Sequence, residues 1–190
     1  MSNLFPKFFL LKLKTKDPEV FGQFYDLYVS KIYRFIFYKV SSAEEAEDLT
    51  SEVFLKIWQH LADNKKIDHL NAFVYQVARN LVVDHYRQKS QQKIVREDDN
   101  QEMLEQIPDH RLAVDQQLDL QADAEVLEKA IRKLKDEYRE IIILRYLDGL
   151  STGEVARVTN KTKGNVRVLA YRAIKALKDI IESSKPLSDE

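Results

Sequence analysis

A chain of 190 residues, 44% hydrophobic and 32% charged, can bury a real core, and its length also accommodates two compact domains. Four glycines and four prolines supply too few turn signals for an all-β fold and point to a nearly all-α chain. The absence of cysteine excludes disulfides, thiolate zinc sites and cysteine nucleophiles and fits a reducing cytoplasm, while a net charge of −1 means that any nucleic-acid contact must come from a local basic surface.

The opening stretch, Leu4 to Leu13, carries Phe5, Phe8, Phe9, Leu10 and Leu11 interrupted by Lys7 and Lys12. It is too short to span a bilayer and lacks the small-residue cleavage site of a signal peptide. An interfacial helix is one reading; a first helical turn packed on the domain behind it is the plainer one. From Phe21, apolar residues recur every three or four positions through Phe24, Tyr25, Tyr28, Ile32, Phe35 and Ile36, which predicts a core helix. After a turn at Ser41-Ser42, a second helix places Ala46, Leu49, Val53, Phe54, Ile57 and Leu61 on one side and Asp48, Ser51, Glu52 and Lys56 on the other. That polar face, with Trp58 further along, is either solvated or a docking surface in which an aromatic anchor and acids meet a basic partner.

Asp63 to Asp68 reads as a loop, and Asn71 is placed to cap a third helix carrying Phe73, Val74, Val77, Ala78, Leu81 and Tyr86, which closes a first domain near residue 90. On this helix Asn80, Asp84 and Arg87 share a face, with Arg79 adjacent. They form ordinary surface pairs or, together with Phe73, Tyr75 and Tyr86, a site where rings stack on unpaired bases and cations meet phosphates. Between Lys89 and Ala122 the periodicity fades into Glu97, Asp98, Asp99, Glu102, Glu105, Asp109, Asp115 and Asp119: an acidic linker, with a short helix around Met103.

Periodicity returns with Val126, Leu127, Ala130, Ile131 and Leu134, then Tyr138, Ile141, Ile142 and Leu144, until Asp148-Gly149 breaks the chain. Ser151-Thr152-Gly153-Glu154 has the spacing of a capping box for a short helix from Thr152 to Val158. Asn160 is suited to a left-handed C-cap, and Thr162 to capping a last helix that runs to about Ile181. Short helix, tight turn and longer helix predict a helix-turn-helix. The last helix buries Val166, Leu169, Ala173 and Leu177 and turns Lys163, Asn165, Arg167, Val168, Tyr171 and Arg172 outward. Lys161, Lys175 and Lys178 add charge, and no acid appears before Asp179. Such a set reaches phosphates and base edges from the major groove, although an isolated basic run is more often a solvated face.

Enzyme chemistry is not visible. His60, His69, His85 and His110 lack metal-ligand spacing, there is no phosphate-cradling glycine loop, and no nucleophile sits in a recognisable setting. The expectation is a non-enzymatic protein with no metal, cofactor or small-molecule substrate.

Ala46-Glu47-Asp48-Leu49-Thr50-Ser51-Glu52-Val53-Phe54-Leu55-Lys56-Ile57-Trp58 resembles region 2.2 of the sigma-70 family of RNA polymerase subunits. Ala72-Phe73-Val74-Tyr75-Gln76-Val77-Ala78-Arg79-Asn80, followed by Asp84 and Arg87, resembles regions 2.3 and 2.4 of its extracytoplasmic-function group. Leu144 to Ser151 and Gly164 to Ala173 resemble region 4. The resemblance implies an all-α fold of two small helical domains, region 2 over residues 21–90 and region 4 over 123–182. An extension (1–20), the acidic linker (91–122) and a tail (183–190) complete the chain.

It further implies that Asp48, Ser51, Glu52 and Trp58 dock on the β′ clamp helices of core polymerase. Arg79, Asn80, Asp84, Arg87, Tyr75 and Tyr86, with the loop from Lys65 to Leu70, would hold flipped, single-stranded non-template bases of the −10 element. Lys163, Asn165, Arg167, Val168, Tyr171 and Arg172 would read the −35 duplex while the domain rests on the β flap, with the acidic linker in the RNA-exit path. An anti-sigma factor is a typical partner of the family. Ser51 stands where many members have glutamine, and Val168-Leu169 replaces a frequent Ser-Arg pair, which leaves the −35 sequence open. The rival reading is a stand-alone helix-turn-helix regulator that binds a palindrome as a dimer.

Overall fold

The structure, a computed structural model, describes Leu13, residues 17–95 and residues 118–184. They fall into two units, each with its own core, and no strand occurs among the described residues. The expected helix around Met103 and most of the acidic linker lie outside the described residues, as does the N-terminal stretch apart from Leu13, which is helical and buried.

In the first unit, α1 (Pro18–Phe37), α2 (Ala43–Ala62) and α3 (Leu70–Val95) pack on one another pairwise. α1 begins ahead of Phe21 because Asp17 accepts from the Glu19 backbone N–H at 2.9 Å and Pro18 occupies the first turn, where a missing N–H breaks no bond. At the start of α2, Ser42 Oγ accepts from Glu45 N at 3.1 Å, and the Glu45 carboxylate reaches back to Ser41 N at 3.1 Å. The helix ends on Asn64, whose φ of 54° lets Asn64 N bond Leu61 O and Lys65 N bond His60 O.

Asn71 does not cap α3. The helix starts at Leu70, and the Asn71 side chain accepts instead from the hydroxyl of Tyr28 on α1. A buried tyrosine hydroxyl needs a partner, and this demand outweighs a cap on an exposed helix end. Further along, Tyr75 meets Phe35 edge to face at 5.5 Å, and Tyr86 Oη donates to Lys39 O at 2.5 Å. The contacts advance together along α1 and α3, so these two helices run in the same direction. Phe24, Ile32, Phe35, Ile36, Val53, Ile57 and Val74 fill the core between the three helices. α3 outlasts that core: from Val83 to Gln91 no residue is buried.

The second unit holds α4 (Leu118–Lys133), α5 (Asp136–Ile142), a π-helical turn (Ile143–Leu147), α6 (Thr152–Thr159) and α7 (Lys163–Ser184). Arg139 closes the end of α4: its guanidinium donates to the carbonyls of Arg132 at 2.6 Å, Leu134 at 2.9 Å and Ile131 at 3.2 Å, the last of which also accepts from Leu134 N. The π turn, which the apolar periodicity did not reveal, is closed by Asp148 N to Ile143 O at 2.9 Å. Leu150 N to Leu144 O and Arg145 Nη1 to Leu150 O, at 2.9 and 2.8 Å, pin the following turn, where Gly149 takes a φ of 73° that side chains resist. Ile131, Ile141, Ile143, Leu144, Val155, Val166 and Ala173 form the core, with α7 packed on α4, α5 and α6.

Candidate nucleic-acid interface and docking face

The helix-turn-helix is built as the spacing predicts. Ser151 Oγ accepts from Glu154 N at 3.2 Å while Glu154 accepts from Ser151 N at 2.7 Å, completing the capping box of α6. Asn160 is left-handed at φ 53°, ψ 45°, and Thr162 Oγ1 accepts from Asn165 N at 3.1 Å to start α7. With both helix ends satisfied across a tight turn, the direction of α7 against α6 is fixed by local chemistry before any packing is counted.

On α7, Val166, Leu169 and Ala173 are buried, while Lys163, Asn165, Arg167, Val168, Tyr171 and Arg172 are all exposed. Tyr171 is 74% exposed and Val168 48%, too open for core residues and available to an apolar base edge such as a methyl group. Among the described residues, Lys163, Arg167, Arg172 and Lys175 have no acidic partner; Lys178 pairs with Glu182 at 3.5 Å. Lys161 differs: it stands in the turn and pairs with Glu137 on α5 at 2.8 Å. On α7, the cations without an acidic partner among the described residues thus lie on the exposed side that includes Tyr171.

On α3, Asn80, Asp84 and Arg87 are exposed along one face, with a loose Arg87–Asp84 ion pair of 3.7 Å between two well-exposed side chains. Arg79 is half-buried beside them. Tyr75 is a correction. At 1% exposure against Phe35 it belongs to the core and offers no face to a base. Helical phase explains this: Tyr75 lies on the side of α3 turned to α1, away from Asn80 and Asp84. Tyr86 is 41% exposed, but its hydroxyl is engaged by Lys39 O, so only the ring is open to a ligand.

On α2, Asp48, Ser51 and Glu52 are exposed as expected. Ser51 Oγ donates to Glu47 O at 3.0 Å, Glu52 pairs with Lys56 at 3.1 Å, and Asp48 has no basic partner among the described residues. Trp58 is half-buried and packs edge-on against Phe21 at 4.8 Å, so part of its ring is committed within the unit. The apolar residue on this face is Leu55, 55% exposed, four positions after Ser51 and three after Glu52. Sequence reasoning passed over Leu55; its helical phase relative to Asp48 and Glu52 was the available signal. Val83 on α3 and Ile174 on α7 are further exposed apolar residues beside these faces. Among the described residues no group of three His, Asp or Glu could hold a metal ion, and no helix is long and apolar enough to cross a membrane.

Comparison with known proteins bears on both units. The Sigma-70 region 2 family model matches residues 24–92, and the Sigma-70, region 4 model matches residues 124–177, together well over half the chain. The chain belongs to the sigma-70 family, in its extracytoplasmic-function group. Among its relatives is the ECF RNA polymerase sigma factor BldN of Streptomyces coelicolor, 34% identical over 167 residues that cover 87% of this chain and 62% of the relative. Another is the ECF RNA polymerase sigma factor SigW of Bacillus subtilis, 28% identical over 172 residues, covering 88% of this chain and 91% of the relative. The chain thus spans less than two thirds of BldN and nearly all of SigW.

Among solved structures, the sigma factor RpoE in complex with the anti-sigma factor NepR from Bartonella quintana superposes with a TM-score of 0.69 at 23% identity. That match covers 87% of this chain and 98% of the other, and it establishes a shared fold. For this sigma factor, the α2 and α3 faces lie inside the region 2 match and the exposed residues of α7 inside the region 4 match.

Proposed function

We propose that this sigma factor confers promoter specificity on bacterial RNA polymerase in the cytoplasm, docking on core enzyme and then reading and opening promoter DNA. The observation that carries the reading is α7, where Lys163, Arg167, Arg172 and Lys175 stand exposed, without acidic partners among the described residues, behind a doubly capped turn. Charge left uncompensated by the protein is charge available to phosphates, and Asn165, Val168 and Tyr171 among the cations are placed to read base edges of the −35 duplex.

In the first unit, Asp48, Ser51, Glu52 and the exposed Leu55 form the face offered to the β′ clamp helices, acids around an apolar centre. Asn80, Asp84 and Arg87, with Arg79 and the ring of Tyr86, face the −10 element. Unstacking a base costs a few kcal/mol, and polar contacts to its edges together with an aromatic surface offset that cost. The reaction needs no covalent step from this chain. The second domain rests on the β flap, and an anti-sigma factor is the expected restraint on the free protein.

The test is reconstitution with core polymerase lacking any sigma subunit, followed by run-off transcription across a genomic promoter library. Promoter-specific transcripts that depend on the chain are the expected result, and Asp48→Lys with Glu52→Lys should abolish core binding while the second unit keeps its fold. A chain that fails to bind cognate core but shifts duplex DNA alone would instead be a stand-alone helix-turn-helix regulator.

A further inference from the structure

The part of α3 that carries Asp84 and Arg87 has no core beneath it. Among the residues of the helix whose burial is described, Val82 is the last buried one, and from Val83 to Gln91 every residue is exposed or half-exposed. Without tertiary packing a helical segment this short is marginal in water and would fray. Among the described residues, side-chain contacts from Tyr86, His85 and Lys89 attach it to the rest of the unit. Tyr86 Oη donates to Lys39 O at 2.5 Å, just past the end of α1. Lys89 Nζ donates to Glu45 Oε1 at 2.8 Å, and His85 Nε2 lies 3.4 Å from the same oxygen.

Glu45 is more than one end of an ion pair. Its second oxygen accepts from Ser41 N at 3.1 Å and its own N–H donates to Ser42 Oγ at 3.1 Å, so its backbone and carboxylate are both held by the turn before α2. Burial alone would raise its pKa. The hydrogen bonds from Lys89 and Ser41 N, and the charges of Lys89 and His85, overcome that and hold it below the usual carboxylate value. One turn further along α2 stands Asp48, on the docking face; one residue before His85 stands Asp84, on the DNA face. A single carboxylate, fixed at the head of α2, is thus clasped by the turn of α3 whose outer side meets the promoter.

We propose that Glu45 is a positioning residue: with Lys89 and His85 it keeps the coreless end of α3 helical and in register with the docking face of α2, so that core binding is converted into promoter opening. This rests on the reading of the protein as a promoter-opening sigma factor. Neither Glu45 nor Lys89 is assigned a contact with polymerase or DNA in that reading; Glu45 also caps Ser41 N at the head of α2, so Lys89→Met is the variant that isolates register.

The experiment uses the full chain as wild type, Glu45→Ala, Lys89→Met and the charge-swapped pair Glu45→Lys with Lys89→Glu. Amide hydrogen exchange reports the end of α3, core affinity is measured by titration, and opening of a duplex promoter is followed by a fluorescent base at the −10 element. The expected result for either single variant is exchange at residues 85–91 about tenfold faster, opening slowed about fivefold and core affinity within about twofold, with partial recovery of exchange and opening in the swapped pair, which restores the ion pair but not the bond from Ser41 N. The proposal is overturned if exchange at 85–91 is unchanged, if the swap recovers nothing, or if core affinity falls in step with opening, since the last would mark a merely structural role. If the wild-type chain binds core and opens no promoter, the reading of the protein itself fails, and the function assigned to Glu45 fails with it.

Discussion

Lys161 reaches out of the helix-turn-helix to Glu137 on α5, 2.8 Å away, and so joins the turn before the recognition helix to the scaffold. In sequence Lys161 is one of a run of cations; in structure its charge is already matched. Lys161→Ala should therefore lower the stability of the second unit by about 0.2–1 kcal/mol in urea denaturation. Its effect on duplex affinity should be small beside that of Arg167→Ala. A loss of affinity equal to that of Arg167→Ala would mean that Lys161 serves the DNA directly.

The exposed cations of α7 predict a salt signature. Arg167→Ala and Arg172→Ala should each reduce the slope of log affinity against log salt by about 1 if the side chain meets a phosphate. If it reads a base, it should cost about 1–3 kcal/mol on the cognate −35 sequence and relax the preference at one position. Titrations at several salt concentrations, on cognate and scrambled duplexes, separate these roles. An unchanged slope together with unchanged specificity would remove that residue from the interface.

Arg139 holds three carbonyls at the end of α4, a geometry that depends on a planar, forked donor. Arg139→Met should cost the second unit about 2–3 kcal/mol, because the carbonyls of Arg132 and Leu134 lose this donor in a half-buried place, while Ile131 O keeps Leu134 N. Arg139→Lys, a point charge on a flexible stem, should recover less than half of that. Chemical denaturation with the first unit as internal reference is the check, and full recovery by lysine would show that charge alone is what the helix end requires.

Acid should loosen the clasp at the head of α2. The folded pKa of Glu45 lies below its ordinary 4.5, so its contribution is present at pH values above 4.5 and is lost as pH falls through the folded value. The carboxylate faces Lys89, His85 and the Ser41 N–H; protonation removes its charge, and with it the attraction to Lys89 and His85 and the charge-assisted part of the bond from Ser41 N. Hydrogen exchange corrected for its intrinsic pH dependence should show residues 85–91 losing protection below about pH 4.5 in the wild type and not in Glu45→Gln. Equal acid sensitivity in both proteins would place the titrating group elsewhere.

Much of this architecture is legible without coordinates because it is local. The capping box at Ser151 and Glu154, the left-handed Asn160 and the Thr162 cap each depend on a few neighbouring residues, and each stands where the spacing puts it. The exposed face of α7 follows from a 3.6-residue period once Val166, Leu169 and Ala173 are set inward. What eluded the sequence is decided at a distance. Asn71 looks like a cap until Tyr28, 43 residues earlier, claims its side chain. Tyr75 looks like a ring among cations until Phe35 encloses it, and Trp58 looks like an anchor until Phe21 covers its edge. Leu55 was hidden for the opposite reason: an apolar residue inside a helix is presumed buried, and only the packing of α2 shows that it faces outward.

The widened turn at Ile143–Leu147 carries a lesson about length. A π turn holds one residue more than an α-helix needs over the same rise, and here the surplus is absorbed between α5 and the Asp148-Gly149 turn. Removing a single residue from an ordinary helix rotates everything after it by about 100°. Removing one here should instead relax the turn to α geometry and keep the directions of α6 and α7. The chain therefore carries a slack link just upstream of α7, a point where the loss of one residue should leave the direction of that helix unchanged.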